Sequence, residues 1–289
     1  MYLGAYEKNI ILNPMLGAII GDIVGSIYEF ANIKRKDFPF WGKQCEYTDD
    51  SILAIATADW LLHGGDVASY YSRYATTYKY PMGGYGSGFL YWVSQVESGQ
   101  KPSPYNSCGN GSAMRIAPVG WLDTNDTLSG EELVLKMAQT SAACTHNHPE
   151  GIKGAQATAL CIYLARHGKT ASEIRTRIEK DFGYDLSLHV DEIRDRYSWD
   201  GLDGVGDGGT CQDSVPQAIV CVLEASDFED AIRNSISIGG DSDTIGCIAG
   251  GIAEALFGIS KEMREKGMSY LPMELKQVVD EFEQKYGKK

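Results

Sequence analysis

The chain has 289 residues, 43 % of them hydrophobic, and a formal net charge of −13, so it can bury a sizeable core and lacks the bias of collagen-like or disordered sequences. The negative charge repels nucleic-acid backbones and anionic membranes, and basic residues run together only in Lys34-Arg35-Lys36 and Lys288-Lys289; with no apolar run near the roughly 18 residues of a membrane span, neither duplex binding nor membrane insertion is expected. Seven cysteines without a Cys-x-x-Cys pair, and a start that lacks the pattern of a secretory leader, point to a cytoplasmic protein with mostly buried, reduced thiols.

Met1 to Pro14 reads as an N-terminal extension (1–14), followed by one domain over 15–289, because no linker or composition break divides the remainder. Apolar residues recur at helical spacing over Leu16 to Phe30, Ser51 to Leu62, Glu131 to Ala143, Gly151 to Ala165, Ser214 to Leu223 and Ile245 to Phe257. Start and stop signals accompany several of them: Ser129 before Glu131-Glu132, Gly64-Gly65 after Leu62, Gly168 after His167. Strand-like alternation is rare, so the expected fold class is all-α, an orthogonal or irregular helical bundle. Ser198 to Asp213, rich in glycine, is the one clear long loop, and loops of that length are often functional. Gly17, Gly21 and Gly25 in the first helix, and Ser242, Gly246 and Gly250 in the last major one, form stripes of small residues four apart. Glycine costs about 1 kcal/mol per helix position against alanine, so such stripes imply close approach of another backbone.

The chemistry-bearing motifs follow the same order. Tyr47-Thr48-Asp49-Asp50 precedes an amphipathic run, where Thr48 or Asp49 can cap the helix and the acids gain from its dipole. Gly109-Asn110-Gly111-Ser112-Ala113-Met114-Arg115 frees the backbone to point N–H groups at an anion. Cys144-Thr145-His146-Asn147-His148 has no second cluster at zinc-site spacing, and reads as a polar loop for a substrate hydroxyl or phosphate, or as helix-entry structure. Gly239-Gly240-Asp241-Ser242-Asp243-Thr244 offers a compact set of hard oxygen ligands suited to Mg²⁺ or Mn²⁺. At an effective dielectric near 20, two like charges about 4 Å apart repel by roughly 4 kcal/mol, so acids gathered from both motifs would need cations or protons. Taken alone, Asp241-Ser242-Asp243 also permits a haloacid-dehalogenase-like phosphatase.

The order Gly21-Asp22-x-x-Gly25-Ser26-x-Tyr28-Glu29, Tyr47-Thr48-Asp49-Asp50, Gly109-Asn110-Gly111-x-x-Met114-Arg115, Thr145-His146-x-His148 and Gly239-Gly240-Asp241-Ser242-Asp243-Thr244 resembles the ADP-ribosylglycohydrolase family over roughly residues 15 to 258. The resemblance implies an all-α, single-domain orthogonal helical bundle. It also implies two divalent cations, Mg²⁺ or Mn²⁺, held by Thr48, Asp49, Asp50, Asp241, Asp243 and Thr244. Glu29 takes the place of the family's acid near the metals, joining Asp50, Asp241 and Asp243 in catalysis. Gly109, Asn110, Gly111, Ser112, Met114 and His146 are the implied ADP-ribose contacts, and Gly209 to Leu223 resembles a part of the family near the adenosine. Asp22, seven residues before Glu29 and on the same face of the expected helix, either supports the metal site or is a buried structural carboxylate. The implied activity is hydrolysis at the anomeric carbon of an ADP-ribosyl group on a protein or a small molecule; an ADP-ribose reader without catalysis is the alternative. Ser107-Cys108 stands where some arginine-directed members carry an acid, so no strong arginine preference is expected; Asp203, Asp207 and Asp213 are acids of the long loop placed to reach a leaving group.

Overall fold

The computed structural model describes residues 10–11 (backbone only), 14–100, 102–124 and 127–287. Its helices are α1 (Leu16–Gly25), α2 (Asp49–His63), α3 (Val67–Thr77), α4 (Ser87–Glu97), α5 (Gly111–Met114), α6 (Gly130–Ala143), α7 (Pro149–Arg166), α8 (Ala171–Phe182), α9 (Val190–Arg196), α10 (Cys211–Leu223), α11 (Phe228–Ser237), α12 (Ser242–Phe257), α13 (Lys261–Tyr270) and α14 (Met273–Tyr286). Strands are confined, among the described residues, to two antiparallel pairs: β1 (Ile10–Ile11) with β4 (Ile259–Ser260), and β2 (Tyr197–Ser198) with β3 (Gly201–Leu202). The fold is all-α, as expected, and offers Asp241-Ser242-Asp243 no strand at the head of an α/β sheet, which the phosphatase alternative requires. Most of the expected extension lies outside the described residues, as does Lys288-Lys289; Ile10–Ile11, which falls within the extension, pairs with β4.

The stripes of small residues pair with each other. A Cβ on Gly246 would lie 2.6 Å from the Gly21 carbonyl oxygen, and one on Gly17 or Gly25 would overlap the carbonyl of Gly250 or Ser242. Thus α1 and α12 run antiparallel at backbone contact, wholly buried along Leu16–Gly25. The two ends of the chain meet at this seam, and the starts of α2 and α12, where the acids lie, are both anchored to it.

Two expectations need correction. Helix α1 stops at Gly25, not Phe30, so Asp22 and Glu29 do not share a helical face. Past the helix, the Asn32 amide donates to the carbonyls of Tyr28 (2.7 Å), Glu29 (3.0 Å) and Gly240 (2.9 Å), which turns the chain aside toward α12. The helical spacing of apolar residues also leaves out α3, α4, α5, α8, α9, α11, α13 and α14. Several bury few residues, only Ile174 and Ile178 in α8 and Gly267 and Met268 in α13, so their apolar period is sparse. The caps behaved as expected: Ser129 forms a capping box with Glu132, Thr48 caps α2, and Gly64 and Gly168 have positive φ. All seven cysteines are free, five of them buried, and no helix among the described residues is long and apolar enough to cross a membrane.

Candidate active site

A cleft of about 410 Å³ opens where α2, α5, α12 and the turn after α1 converge. Its lining includes Glu29, Asp49, Asp50, Gly109, Asn110, Gly111, Met114, His146, Asp241, Asp243 and Thr244. Residues separated by more than 200 positions in sequence therefore share one surface. Carboxylate oxygens of Glu29, Asp241 and Asp243 lie within 4.8 Å of one another. Asp50 is buried, and its Oδ2 has no hydrogen-bond partner among the described residues.

Asp22 shows how the floor of the cleft is held. Fully buried, it accepts the Thr48 N–H (3.0 Å), the Thr48 hydroxyl (2.7 Å), the Ser51 N–H (3.1 Å) and the Ser51 hydroxyl. It thereby ties the first turn of α2 to α1 and acts on the acids through Thr48. The Thr48 hydroxyl in turn accepts the Asp50 N–H at 3.2 Å. Thr48 does not line the cleft: its oxygen is engaged twice, as a donor to Asp22 and as the cap of α2. On the other side Asp241 accepts the Asn110 amide at 2.8 Å, which docks the Gly-Asn-Gly turn directly onto the acids.

The electrostatics are those of an acid cluster out of water. Burial raises the carboxyls of Asp49, Asp50 and Asp243 well above the ordinary range, with neighbouring acids adding to the shift. Burial, then Asp241 and Asp22, lifts Glu29 to about 7; burial lifts Asp22 to about 6 and raises Asp241. His146 goes the other way: burial, assisted by the Arg115 guanidinium, holds it well below its usual value, so it is a neutral ring at pH 7. Its Nδ1 is 2.7 Å from the Thr145 hydroxyl, and its ring faces Gly109 and Gly111.

Ser112 departs from the expected arrangement. Its side chain is buried and donates to the Gly151 carbonyl at 2.7 Å, away from the cleft lining. His148 accepts the Glu150 N–H and starts α7, the helix-entry reading of that motif. In the long loop, Asp203 pairs with Arg196, while Asp213 accepts the Asp207 N–H and the Thr210 hydroxyl. These acids brace the loop and none lines the cleft, which receives Gly209 instead. Sequence reasoning missed one wall entirely: Gly83, Gly84, Tyr85, Gly86, Ser87 and Gly88, together with Tyr105. The signal was the glycine density of that run, which resembles an ordinary loop until its position opposite Glu29 is known.

The acids fit a divalent cation. They supply hard oxygens, Asp50 Oδ2 is buried without a partner among the described residues, and the arginine of the lining, Arg115, donates to the Ser141 carbonyl and the Thr145 hydroxyl instead of to the acids. Known proteins resemble this chain along most of its length. The family model described as ADP-ribosylglycohydrolase matches residues 6–288. ADP-ribosylhydrolase ARH3 of Danio rerio is 28 % identical, with 85 % of this chain and 82 % of that protein covered. The Homo sapiens ARH3 is 27 % identical, covering 86 % and 85 %. ADP-ribosylarginine hydrolase Tri1 of Pseudomonas putida (strain GB-1) is 26 % identical, covering 85 % and 70 %. A solved ADP-ribosylglycohydrolase-related protein complex shares the fold, with a TM-score of 0.68 at 22 % identity over 94 % of this chain and 96 % of that one.

Proposed function

Because the chain belongs to the ADP-ribosylglycohydrolase family, we propose that it is a divalent-cation-dependent hydrolase that cleaves the bond between the anomeric carbon of ADP-ribose and an acceptor. The observation that carries this reading is the convergence of Glu29, Asp49, Asp50, Asp241 and Asp243 on a cleft also lined by Gly109, Asn110, Gly111 and His146. An anionic diphosphate would be repelled by so many carboxylates unless cations neutralised them. Asp49, Asp50, Asp241, Asp243 and Thr244 would hold Mg²⁺ or Mn²⁺, with Thr48 supporting them as the cap of α2. When bound, the pair supplies charge neutralisation, orients the ribose and polarises water.

The protein's own groups do the rest. Glu29, with a carboxyl near neutrality, takes a proton from the attacking water or gives one to the departing acceptor oxygen or nitrogen, work typically worth about 10²–10⁴-fold. The bond from water oxygen to the anomeric carbon forms as the bond to the acceptor breaks. Neutral His146 offers a hydrogen bond to the ADP-ribose without adding charge, and Asn110 links the anion-facing turn to Asp241. We take residues 15–289 as one functional domain working in the cytoplasm, a reading supported by the α1–α12 seam and the free thiols.

The test is release of ADP-ribose from matched arginine-linked and serine-linked peptides in Mg²⁺, in Mn²⁺ and in excess chelator. Release that stops in chelator is expected, with kcat/KM values for the two linkages within about tenfold, because Ser107 and Cys108 provide no carboxylate to grip a guanidinium. Full turnover in chelator would remove the metal from the proposal, and a hundredfold arginine preference would show that another group reads the acceptor.

A further inference from the structure

The Glu29 carboxylate makes no hydrogen bond among the described residues, although it faces Asp241 and Asp243 across less than 4.8 Å. Its place is therefore set by its backbone. Two side chains hold that backbone, and both donate to the same carbonyl: Asn32 Nδ2 at 3.0 Å and Trp199 Nε1 at 3.0 Å. Asn32 belongs to the acid side of the cleft, since it also exchanges hydrogen bonds with both backbone groups of Gly240. Trp199 comes from the glycine-rich loop, the feature of the sequence that the mechanism leaves unused.

The indole spans the gap between Glu29 and the anion-facing turn. It stacks on Phe30, with ring planes 6° apart and centroids 6.4 Å apart. The far edge of the ring lies beside Gly209, 3.9 Å from where a Cβ would stand. The Trp199 carbonyl accepts the Gly208 N–H at 2.8 Å, and Gly209 in turn accepts the Asn110 N–H at 2.9 Å. Gly109 bridges to Thr210, and the Cys211 N–H donates to the Cys108 carbonyl. A short chain of contacts thus runs from Glu29 through Trp199 and Gly209 to Asn110, whose amide reaches Asp241. Glycine at 208 and 209 leaves room for this: a Cβ at Gly208 would come within 3.2 Å of the Trp199 Cα.

We propose that Trp199 is a positioning residue for Glu29, its indole fixing the acid's backbone against the 208–210 turn that meets Gly109 and Asn110. The inference rests on Glu29 being the proton-transferring acid. It predicts that the long loop serves turnover without touching the reacting atoms, and that loss of the indole N–H matters only while Glu29 has a carboxylate to place.

The test is a double-mutant cycle of Trp199→Phe and Glu29→Gln, read by steady-state kinetics and by hydrogen exchange of the segment 28–32. Phenylalanine keeps a ring to stack on Phe30 and removes the donor, so Trp199→Phe should lower kcat about fivefold to tenfold, the worth of one hydrogen bond, with KM within about twofold. In the Glu29→Gln background the same change should cost nothing further. Segment 28–32 should exchange faster by a similar factor, with or without Mn²⁺, while exchange in α1 and α12 stays as in the parent and certifies the fold. Equal losses in both backgrounds, unchanged kcat in Trp199→Phe, or unchanged exchange at 28–32 would overturn the proposal. Wild-type turnover by Glu29→Gln would instead overturn the role of the acid on which it rests.

Discussion

The floor of the cleft and its walls are made of opposite chemistry. The floor, formed by the starts of α2 and α12, gathers Asp49, Asp50, Asp241 and Asp243, clamped from below by Asp22 and by the glycine seam between α1 and α12. The walls, Gly83 to Gly88 on one side and Gly109 to Gly111 with Gly209 on the other, carry no charged side chain. On the proposed reading, an acidic floor is unfavourable for the metal-free protein and becomes useful once cations occupy it. Neutral walls add no further repulsion for an anionic substrate. Stability and function are therefore opposed in the floor and compatible in the walls.

The sharpest way to break that contrast is to remove a floor acid. Asp50→Ala should lower kcat/KM by at least about a thousandfold, because it unseats the cations, while the melting temperature in chelator holds or rises as carboxylate repulsion falls. Asp241→Ala should abolish activity equally but gain less stability, since it removes the acceptor of one Asn110 amide N–H and leaves that group only its bond to the Ser214 hydroxyl. A melting temperature that drops for Asp50→Ala in chelator would mean that the acids stabilise the fold.

A wall substitution should have a smaller effect. Gly83 sits at φ 76°, and a Cβ there would stand 2.7 Å from Glu29 Oε2. Gly83→Ala should cost about 1 kcal/mol of stability from its left-handed backbone and about tenfold in kcat as the acid is displaced, with Mn²⁺ affinity measured by calorimetry within a few-fold of the parent. Parent-like turnover would separate that wall from Glu29.

The mildest prediction concerns pH. Glu29 and Asp22, at about 7 and about 6, lie above their ordinary values of 4.5 and 3.8, so the metal-free fold binds protons more tightly than the unfolded chain. The stability they contribute is complete below about pH 4 and is lost as pH rises through 6 and 7. Acids lowered by their partners, such as Glu173 at about 2, have finished their opposite contribution by pH 5.5. Between pH 5.5 and 7.5 in chelator the melting temperature should therefore fall by a few degrees, and Mn²⁺ should reverse the trend because its ligands must be deprotonated. A flat profile in chelator would show that the acids are not coupled to folding.

Much of this molecule was legible from local pattern. Helix starts and stops at Ser129, Thr48, Gly64 and Gly168, the two stripes of small residues, and both acid motifs follow from rules that act over a turn or two of chain. The resemblance then joined the motifs into one site, and eleven of the thirteen residues it implicated do line the cleft, leaving Thr48 and Ser112 to structural bonds. What the sequence could not supply was any relation that depends on a turn leaving its helix or on two loops meeting. The end of α1 at Gly25 depends on Asn32 reaching Gly240, more than 200 residues away. The wall at Gly83 to Gly88, and the indole of Trp199 on the Glu29 carbonyl, are likewise products of packing. The sequence determined which groups carry charge and where helices begin, because capping and periodicity are local; only the tertiary structure decided which of those groups face one another, because that is set by how closely α1 and α12 can approach.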